Sequence, residues 1–344
     1  MPKTSPKITE DQPAPEVEIL DCTLRDGSYA VDFQYTEGTI RSVLSGLEES
    51  GIRFIELGHG LGLNAGESTP HTTRVPDARC FSIACETLTS ARWGMFCIPG
   101  IAELDHLRRA VDAGMEFVRV GVDISAVGPA EAFITLARDL GITAFANLMK
   151  TNVLGTDGVT DAVRQCAEYG ADTVYLVDSV GGYLPSDVTE LFEKVSRSVA
   201  IPLGFHGHDN LSLANANSLA AATGGARFVD TTLDGIGRGA GNTVTEAFAA
   251  ALHTRGDGGT YDFRALGELS ESVIRPLERL HDDRTYQVVG GVTQTHSSFF
   301  PLLSRCAEIA NVDVFELMAA VADIDRVHPA EDMVLEAART MAAR

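Results

Sequence analysis

Val199-Ala200-Ile201-Pro202-Leu203-Gly204-Phe205-His206-Gly207-His208-Asp209-Asn210 runs from an apolar segment into an alternation of small and ring-bearing residues. On a strand, side chains two apart share a face, so His206 and His208 project together toward one centre. Two imidazoles presented by one rigid strand can hold a metal ion. The competing account is a hydrogen-bonded core histidine beside an exposed one, because His-x-His is a short pattern that recurs by chance. The sequence on either side bears on the choice.

Similar β-rich runs recur along the chain, at 17–24, 53–57, 93–98, 117–122, 143–148, 173–177, 202–206 and 228–233, each followed by helical periodicity. This alternation predicts an α/β fold with a parallel sheet, and the repeat number matches a (β/α)8 TIM barrel of roughly 250 residues. Segment 39–50 places Ile40, Val43, Leu44 and Leu47 on one helical face before Gly51, and 129–140 repeats the pattern before Gly141. The stretch 61–79, rich in Gly, Thr and Pro, is the least regular part and reads as a surface loop.

Past Gly256-Asp257-Gly258-Gly259 the pattern changes to helices without strands, expected at 262–280, 297–310, 314–322 and 330–343, with Pro329 at the entry of the last. The expected organisation is a disordered tail at 1–16, a catalytic barrel at 17–256 and a C-terminal helical domain at 257–344. That appendage is too small for a generous core of its own and should pack on the barrel or on a partner.

The 344-residue chain is 44% hydrophobic and 22% charged, which suits a soluble protein with a barrel-sized core. Its 27 Lys and Arg stand against 48 Asp and Glu, and the resulting charge of -21 disfavours nucleic acid and anionic membranes as partners. Cys22, Cys80, Cys85, Cys97, Cys166 and Cys306 form no C-x-x-C pair and read as reduced thiols of a cytoplasmic protein. No apolar run approaches the ~20 residues of a membrane span, and the polar start is unlike a signal peptide.

Catalytic groups of such barrels lie where the strands end. Asp21-Cys22-Thr23-Leu24-Arg25-Asp26-Gly27-Ser28-Tyr29 ends the first strand, His206 and His208 end the seventh, and Asp234 to Asn242 follows the eighth. Closure makes these strands neighbours, so Asp26 can add an oxygen ligand to the two imidazoles. One carboxylate and two imidazoles leave open positions on an octahedral ion, which points to Mn²⁺, Co²⁺ or a related metal. Non-haem Fe(II) oxygenases use the same ligand set and stand as a rival reading.

Glu56 and Arg119 sit within expected strands, where a buried charge needs a partner. Glu56 either orients Arg25 or belongs to a structural pair. Ser179 either bonds the substrate or forms a turn, and Asn210 suits a helix cap. Phe96 and Ile98 line the pocket or pack the core, and His59 supports the site or is exposed. The glycines of 235–241 read as close backbone approach, and His71, His106, His253, His281 and His328 as solvent-facing.

Asp21 to Ser28, Phe54-Ile55-Glu56-Leu57-Gly58-His59-Gly60, Pro99-Gly100, Tyr175-Leu176-Val177-Asp178-Ser179, Gly204 to Asn210, Asn217 to Ala221 and Gly237 to Asn242 together resemble the 4-hydroxy-2-oxovalerate aldolase family. That family belongs to the DRE-TIM metallolyases, which are HMG-CoA-lyase-like, and Ser297-Ser298-Phe299 and Glu331-Asp332-Met333-Val334 extend the likeness. The resemblance implies a divalent metal, Mn²⁺ first with Mg²⁺, Co²⁺ or Zn²⁺ also compatible, on Asp26, His206 and His208. It implies a class II aldolase acting on a pyruvate-derived 2-oxo acid, by retro-aldol cleavage or the reverse condensation, through a metal-stabilised enolate with Arg25 beside the oxo oxygen. Substrate contacts fall to Arg25, Ser179, Phe96, Ile98 and Asn242.

The chain departs from the family at two positions. Tyr29 stands where family members carry the histidine taken as base, and His296 stands where they carry a tyrosine. A phenol near pKa ~10 is a poor base at neutral pH and an imidazole near ~6.5 is well matched, so either His296 has taken over proton transfer or the reaction has changed. The alternatives are a Claisen-type condensing enzyme using an acyl thioester and an inactive barrel acting as a scaffold. Expected partners are a 2-oxo acid and an aldehyde, with a homodimer or an acylating aldehyde dehydrogenase docked on the helical part.

Overall fold

Eight apolar runs become strands in the computed structural model, which describes residues 17–257, 260–280 and 283–343. They are β1 (Glu18–Asp21), β2 (Phe54–Leu57), β3 (Arg92–Cys97), β4 (Phe117–Asp123), β5 (Thr143–Met149), β6 (Thr173–Asp178), β7 (Leu203–Gly207) and β8 (Ala226–Thr231). They pair in sequence order, all parallel, and β1 closes on β8 with Leu20 opposite Asp230, forming the (β/α)8 barrel. Parallel strands covered on both faces need continuous apolar runs, and β6 is buried at every residue. The expected tail, His281 and Gly258-Gly259 lie outside the described residues.

Phe54, Phe117, Phe145, Tyr175 and Phe228 interlock inside the barrel toward the strand starts, with Phe54 and Phe228 edge to face at 5.4 Å. This apolar plug leaves polar side chains to the opposite, C-terminal mouth. Outside, Glu37–Glu49 forms the first barrel helix, with Ile40, Val43, Leu44 and Leu47 buried as its periodicity predicts. The Thr36 hydroxyl caps it by accepting from the Thr39 N–H at 3.0 Å.

Stretch 61–79 is less irregular than expected: it holds a short helix, Ala65–Ser68, and the start of another, Asp77–Thr87. Asn64 ties them, its side-chain amide donating to the Ile101 carbonyl and its backbone N–H to the Asp77 carboxylate, both at 2.8 Å. Among the described residues, no helix is long and apolar enough to cross a membrane.

The apolar packing of the barrel continues past residue 256, through Tyr261, Leu266 and Ile274 to Leu277, so it crosses the expected boundary. The helix expected at 262–280 is shorter: Phe263–Leu269 runs into a wide turn, Ser270–Ile274, and stops before Pro276, which cannot continue it. A separate cluster built on Leu303, Leu317, Met318, Val321 and Val334 unites the helices Phe300–Ala310, Val314–Ile324 and Glu331–Ala342. The helix Arg284–Thr293 escaped the periodicity reading because Gly290 and Gly291 interrupt its apolar face. Those glycines permit contact: a Cβ on Gly291 would stand 3.1 Å from Asn210, and one on Gly290 would stand 2.7 Å from the Phe300 ring.

One buried acid gives the fold a pH dependence. Asp21 is fully buried, with Oδ1 accepting from the Thr23 N–H at 2.9 Å and Oδ2 from the Thr245 hydroxyl at 2.8 Å. Burial pushes its carboxyl up to about 7, and that of Asp178 up to about 6. A folded pKa above the unfolded value stabilises at low pH, and the contribution is lost as pH rises from about 4 through about 7. We expect the melting temperature to fall across that interval and Asp21→Asn to flatten the slope; an unchanged slope would remove Asp21 from the account.

Candidate active site at the barrel mouth

After β1 the chain turns tightly. The Arg25 and Asp26 N–H groups both donate to the Cys22 carbonyl, and the Leu233 N–H donates to the Thr23 hydroxyl at 2.8 Å, tying this turn to the loop after β8. Gly27 is required by that closeness, since a Cβ there would stand 2.7 Å from both Ile236 and the Tyr35 hydroxyl. The turn aims Arg25 and Asp26 into the mouth. His206 on β7 and His208 just past its end, two residues apart, enter from the adjacent side with ring centroids 5.0 Å apart.

One ligand atom from each of Asp26, His206 and His208 lies within 4.8 Å of the others, close enough for an ion with bonds of about 2.1 Å to join them after small adjustment. His206 Nδ1 lies 2.8 Å from Asp230 Oδ2 and His208 Nδ1 lies 3.3 Å from the Gly241 carbonyl. Both neighbours are acceptors, so Nδ1 carries the proton in each ring and the Nε2 lone pair is left for an ion. Asp26 is held by a hydrogen bond from Arg25 Nη1 at 2.9 Å and another from the Asn242 amide. Burial would raise its pKa, but Arg25 and the two imidazoles outweigh that and hold the carboxyl well below the usual range. The donor set therefore fits a divalent metal. A second grouping, Cys22, His206 and Asp230, does not, because burial keeps the Cys22 thiol protonated and Asp230 is already bonded to Arg119.

Behind the mouth runs a chain of buried ions. Arg25 Nε and Arg119 Nη1 each meet Glu56 Oε2 at 2.8 Å, Arg119 Nη2 meets Asp230, and Asp230 meets His206. Glu56 thus orients Arg25 and belongs to a structural pair at once, so both readings of it hold. Arg119, with no exposed surface, also stacks over the Tyr175 ring at 4.4 Å. Asp230 fixes the orientation of one candidate ligand without touching the ion position. We expect Asp230→Asn to weaken Mn²⁺ binding by roughly 10 to 100 fold, read by calorimetric titration, as such supporting groups do elsewhere; unaltered affinity would count against its role.

A cavity of about 90 Å³ opens here, lined by Arg25, Asp26, Tyr29, Phe96, Ile98, Ser179, His206, His208 and His296, together with Gly60, Leu61, Asn147, Met149, Val177 and Arg238. The structure thus brings together every expected site residue except Asn242, which is buried behind Asp26 and supports that carboxylate instead of facing the cavity. Ser179 faces the cavity while its hydroxyl accepts from the Lys150 N–H at 2.9 Å. Phe96 lies under the Arg25 guanidinium at 4.8 Å.

His59 stays out. It stacks on Phe33 at 4.0 Å and donates to the His71 carbonyl, a local structural role. Asn210 is not a helix cap: it donates to Gln287 on the helix Arg284–Thr293, while Asp209 receives the Ala214 N–H. That docking, with Gly182 against the Gly291 carbonyl, brings the C-terminal part over the mouth and delivers His296. His106 is half-buried and accepts from the Glu103 N–H, so it is not simply solvent-facing.

Tyr29 and His296 differ in what they can do. Burial raises the Tyr29 pKa, although Arg238 lowers it in part, so the phenol keeps its proton. Burial, Arg238 and Lys150 together push His296 well below the ordinary imidazole value, so its ring is neutral at neutral pH. His296 Nδ1 pairs with the Ser298 hydroxyl at 2.7 Å.

Sequence reasoning passed over Asn147, Arg238 and Asp230. Asn147 had a signal, an amide within the apolar strand Thr143-Ala144-Phe145-Ala146-Asn147-Leu148, and its Oδ1 is buried at the cavity without a protein partner.

The sequence model of the HMGL-like family matches residues 16–273. Among curated proteins, the chain is 32% identical over 332 residues to the 4-hydroxy-2-oxovalerate aldolase of Moorella thermoacetica, covering 96% of this chain and 98% of that one. It is 33% identical over 331 residues to the enzyme of the same name from Geobacillus thermodenitrificans, covering 96% of each. Among solved structures, the carboxyl transferase domain of Rhizobium etli pyruvate carboxylase superposes with a TM-score of 0.76 at 16% identity, covering 95% of this chain and 60% of that one, a likeness of fold.

Proposed function

The chain belongs to the HMGL-like family, beside the 4-hydroxy-2-oxovalerate aldolases, and from that premise we propose that it is a divalent-metal-dependent aldolase acting on a pyruvate-derived 2-oxo acid. The observation that carries this reading is the convergence of Asp26, His206 and His208 beside Arg25 in one small cavity whose remaining wall includes His296. Asp26, His206 and His208 would hold the ion, with Mn²⁺ favoured by the mixed nitrogen and oxygen set. When bound, such an ion supplies Lewis acidity toward the oxygens of a 2-oxo acid.

The side chains divide the remaining work. Arg25 is kept cationic by Glu56 and Asp26, which outweigh its burial, and its guanidinium stabilises negative charge that develops on the oxo oxygen. In cleavage the C3–C4 bond breaks, its electron pair passes toward the oxo group, and the hydroxyl proton on C4 leaves to His296 as an aldehyde forms. The pyruvate fragment then takes a proton at C3 from water, and His296 gives its proton back to solvent, so the protons balance. Tyr29, protonated, donates a hydrogen bond and does not serve as base.

His296→Asn tests this assignment. We expect turnover to fall by on the order of 10² to 10⁴ fold while metal affinity is unchanged. Because His296 remains neutral well below the ordinary imidazole value, the wild-type rate should hold through mildly acidic pH before declining. The paired exchange Tyr29→His with His296→Tyr should recover activity if the base alone has moved. Full activity in His296→Asn would take His296 out of the mechanism. Methyl deuterium exchange into pyruvate, dependent on added Mn²⁺, tests the reaction class itself.

A further inference from the structure

The loop after β8 carries a cation that the reaction as proposed does not use. Arg238 is half-buried and lines the cavity. Its guanidinium lies 5.5 Å over the Tyr29 ring, and among the described residues no carboxylate lies within ion-pair distance of it. The flanking glycines bring it there. A Cβ on Gly237 would stand 3.1 Å from Asp26 Oδ2, and one on Gly239, at φ +60, would stand 2.8 Å from Gln287 Oε1. Only a backbone without side chains on both sides of Arg238 passes between the metal-ligand turn and the C-terminal helix.

Charge balance sharpens the point. Arg25 and Arg119 are matched against Glu56, Asp26 and Asp230 in a connected network, which leaves one negative charge in excess. A divalent ion turns that into one positive charge in excess, and the carboxylate of a 2-oxo acid cancels it. Arg238 then remains uncompensated at the cavity wall, a cation poised for an anionic partner. Its charge already reaches the neighbouring groups, lowering the proton affinity of His296 and Tyr29.

We propose that Arg238 binds a second carboxylate, on the aldehyde-derived half of the substrate, so that this chain acts on 4-hydroxy-2-oxo dicarboxylic acids instead of acids with a neutral tail. The inference rests on the aldolase reading above and names the substrate class for that site. The planar guanidinium suits a carboxylate in two-point contact, and the small cavity favours a short tail. Tyr29 supplies the stacking surface beneath the guanidinium and a phenolic donor beside it.

The test compares matched acceptor aldehydes in condensation with pyruvate and Mn²⁺: glyoxylate against acetaldehyde, and succinic semialdehyde against pentanal. Wild-type protein should favour at least one carboxylated member over its neutral match, with a kcat/KM ratio on the order of 10² or more. In Arg238→Gln that ratio should fall toward unity, and Arg238→Lys should keep part of it, since the charge survives but the fork is lost. Circular dichroism and metal content of each variant report on folding. A wild-type protein that exchanges pyruvate methyl deuterium yet shows no preference for the carboxylated aldehydes overturns this inference and leaves the aldolase reading standing. So does an Arg238→Gln variant that slows both members of a pair alike. Absence of exchange in the wild type overturns both readings.

Discussion

Asp26→Ala should lose its divalent metal and its turnover together, with activity down by at least about 10³ fold. Asp26 is the sole carboxylate among the three candidate ligands, and two neutral imidazoles alone offer a hard ion little reason to stay. The substitution also leaves the Asn242 amide and one Arg25 N–H without their acceptor. Because Arg25 holds the carboxyl well below the usual range, the loss should be the same across the neutral pH range. Elemental analysis of purified protein and deuterium exchange into pyruvate measure the two effects separately. A variant that keeps its metal stoichiometry would mean that the ion sits elsewhere and would sink the site as drawn.

Arg119→Met is expected to cost stability before it costs chemistry. Arg119 is the positive centre between Glu56 and Asp230, with no exposed surface, and removing it leaves two buried carboxylates facing each other across a cavity. Breaking a buried pair from one side costs about 3 to 5 kcal/mol, whereas well-packed apolar replacement of a whole network is often neutral. Asp230, held down by Arg119 and His206 in the wild type, is left more nearly to the burial that pushes it up. Protonation then relieves part of the strain, so the deficit should be greatest at neutral and higher pH and shrink as pH falls. Urea unfolding at several pH values measures it. An unchanged midpoint at neutral pH would show that the network contributes no net stability.

Much of the candidate site was legible before any fold was known. His206 and His208 share a strand face by spacing alone, and Asp26 joins them once eight strands are taken to close in order. Arg25 follows from its place beside Asp26. Arg119 and Glu56 announced themselves as charges inside apolar runs, which must have partners; Arg25 was open to Glu56 as one reading, but nothing local named a partner for Arg119. Asp230 was hidden because a carboxylate at a strand end is unremarkable until its neighbour across β7 is known. Arg238 lay in a glycine-rich loop that reads as backbone approach, and only its place on the cavity wall, with no counter-ion among the described residues, gives the side chain meaning.

The C-terminal part divides the same way. Its later helices follow from apolar periodicity, while Arg284–Thr293 contains paired glycines whose purpose lies in tertiary contacts, Gly291 against Asn210 and Leu211 of the barrel and Gly290 against Phe300. By itself, then, the sequence determined the strand and helix alternation, the closed parallel barrel and the two imidazoles that share a face, because each is written in residues a few positions apart. Tertiary structure alone decided that Glu56 and Arg119 link Arg25 to His206 through Asp230, that His296 arrives over the mouth, and that Arg238 meets no carboxylate among the described residues. Those outcomes depend on charges distant in sequence being buried together, where low dielectric makes the identity of each neighbour matter and no local pattern records it.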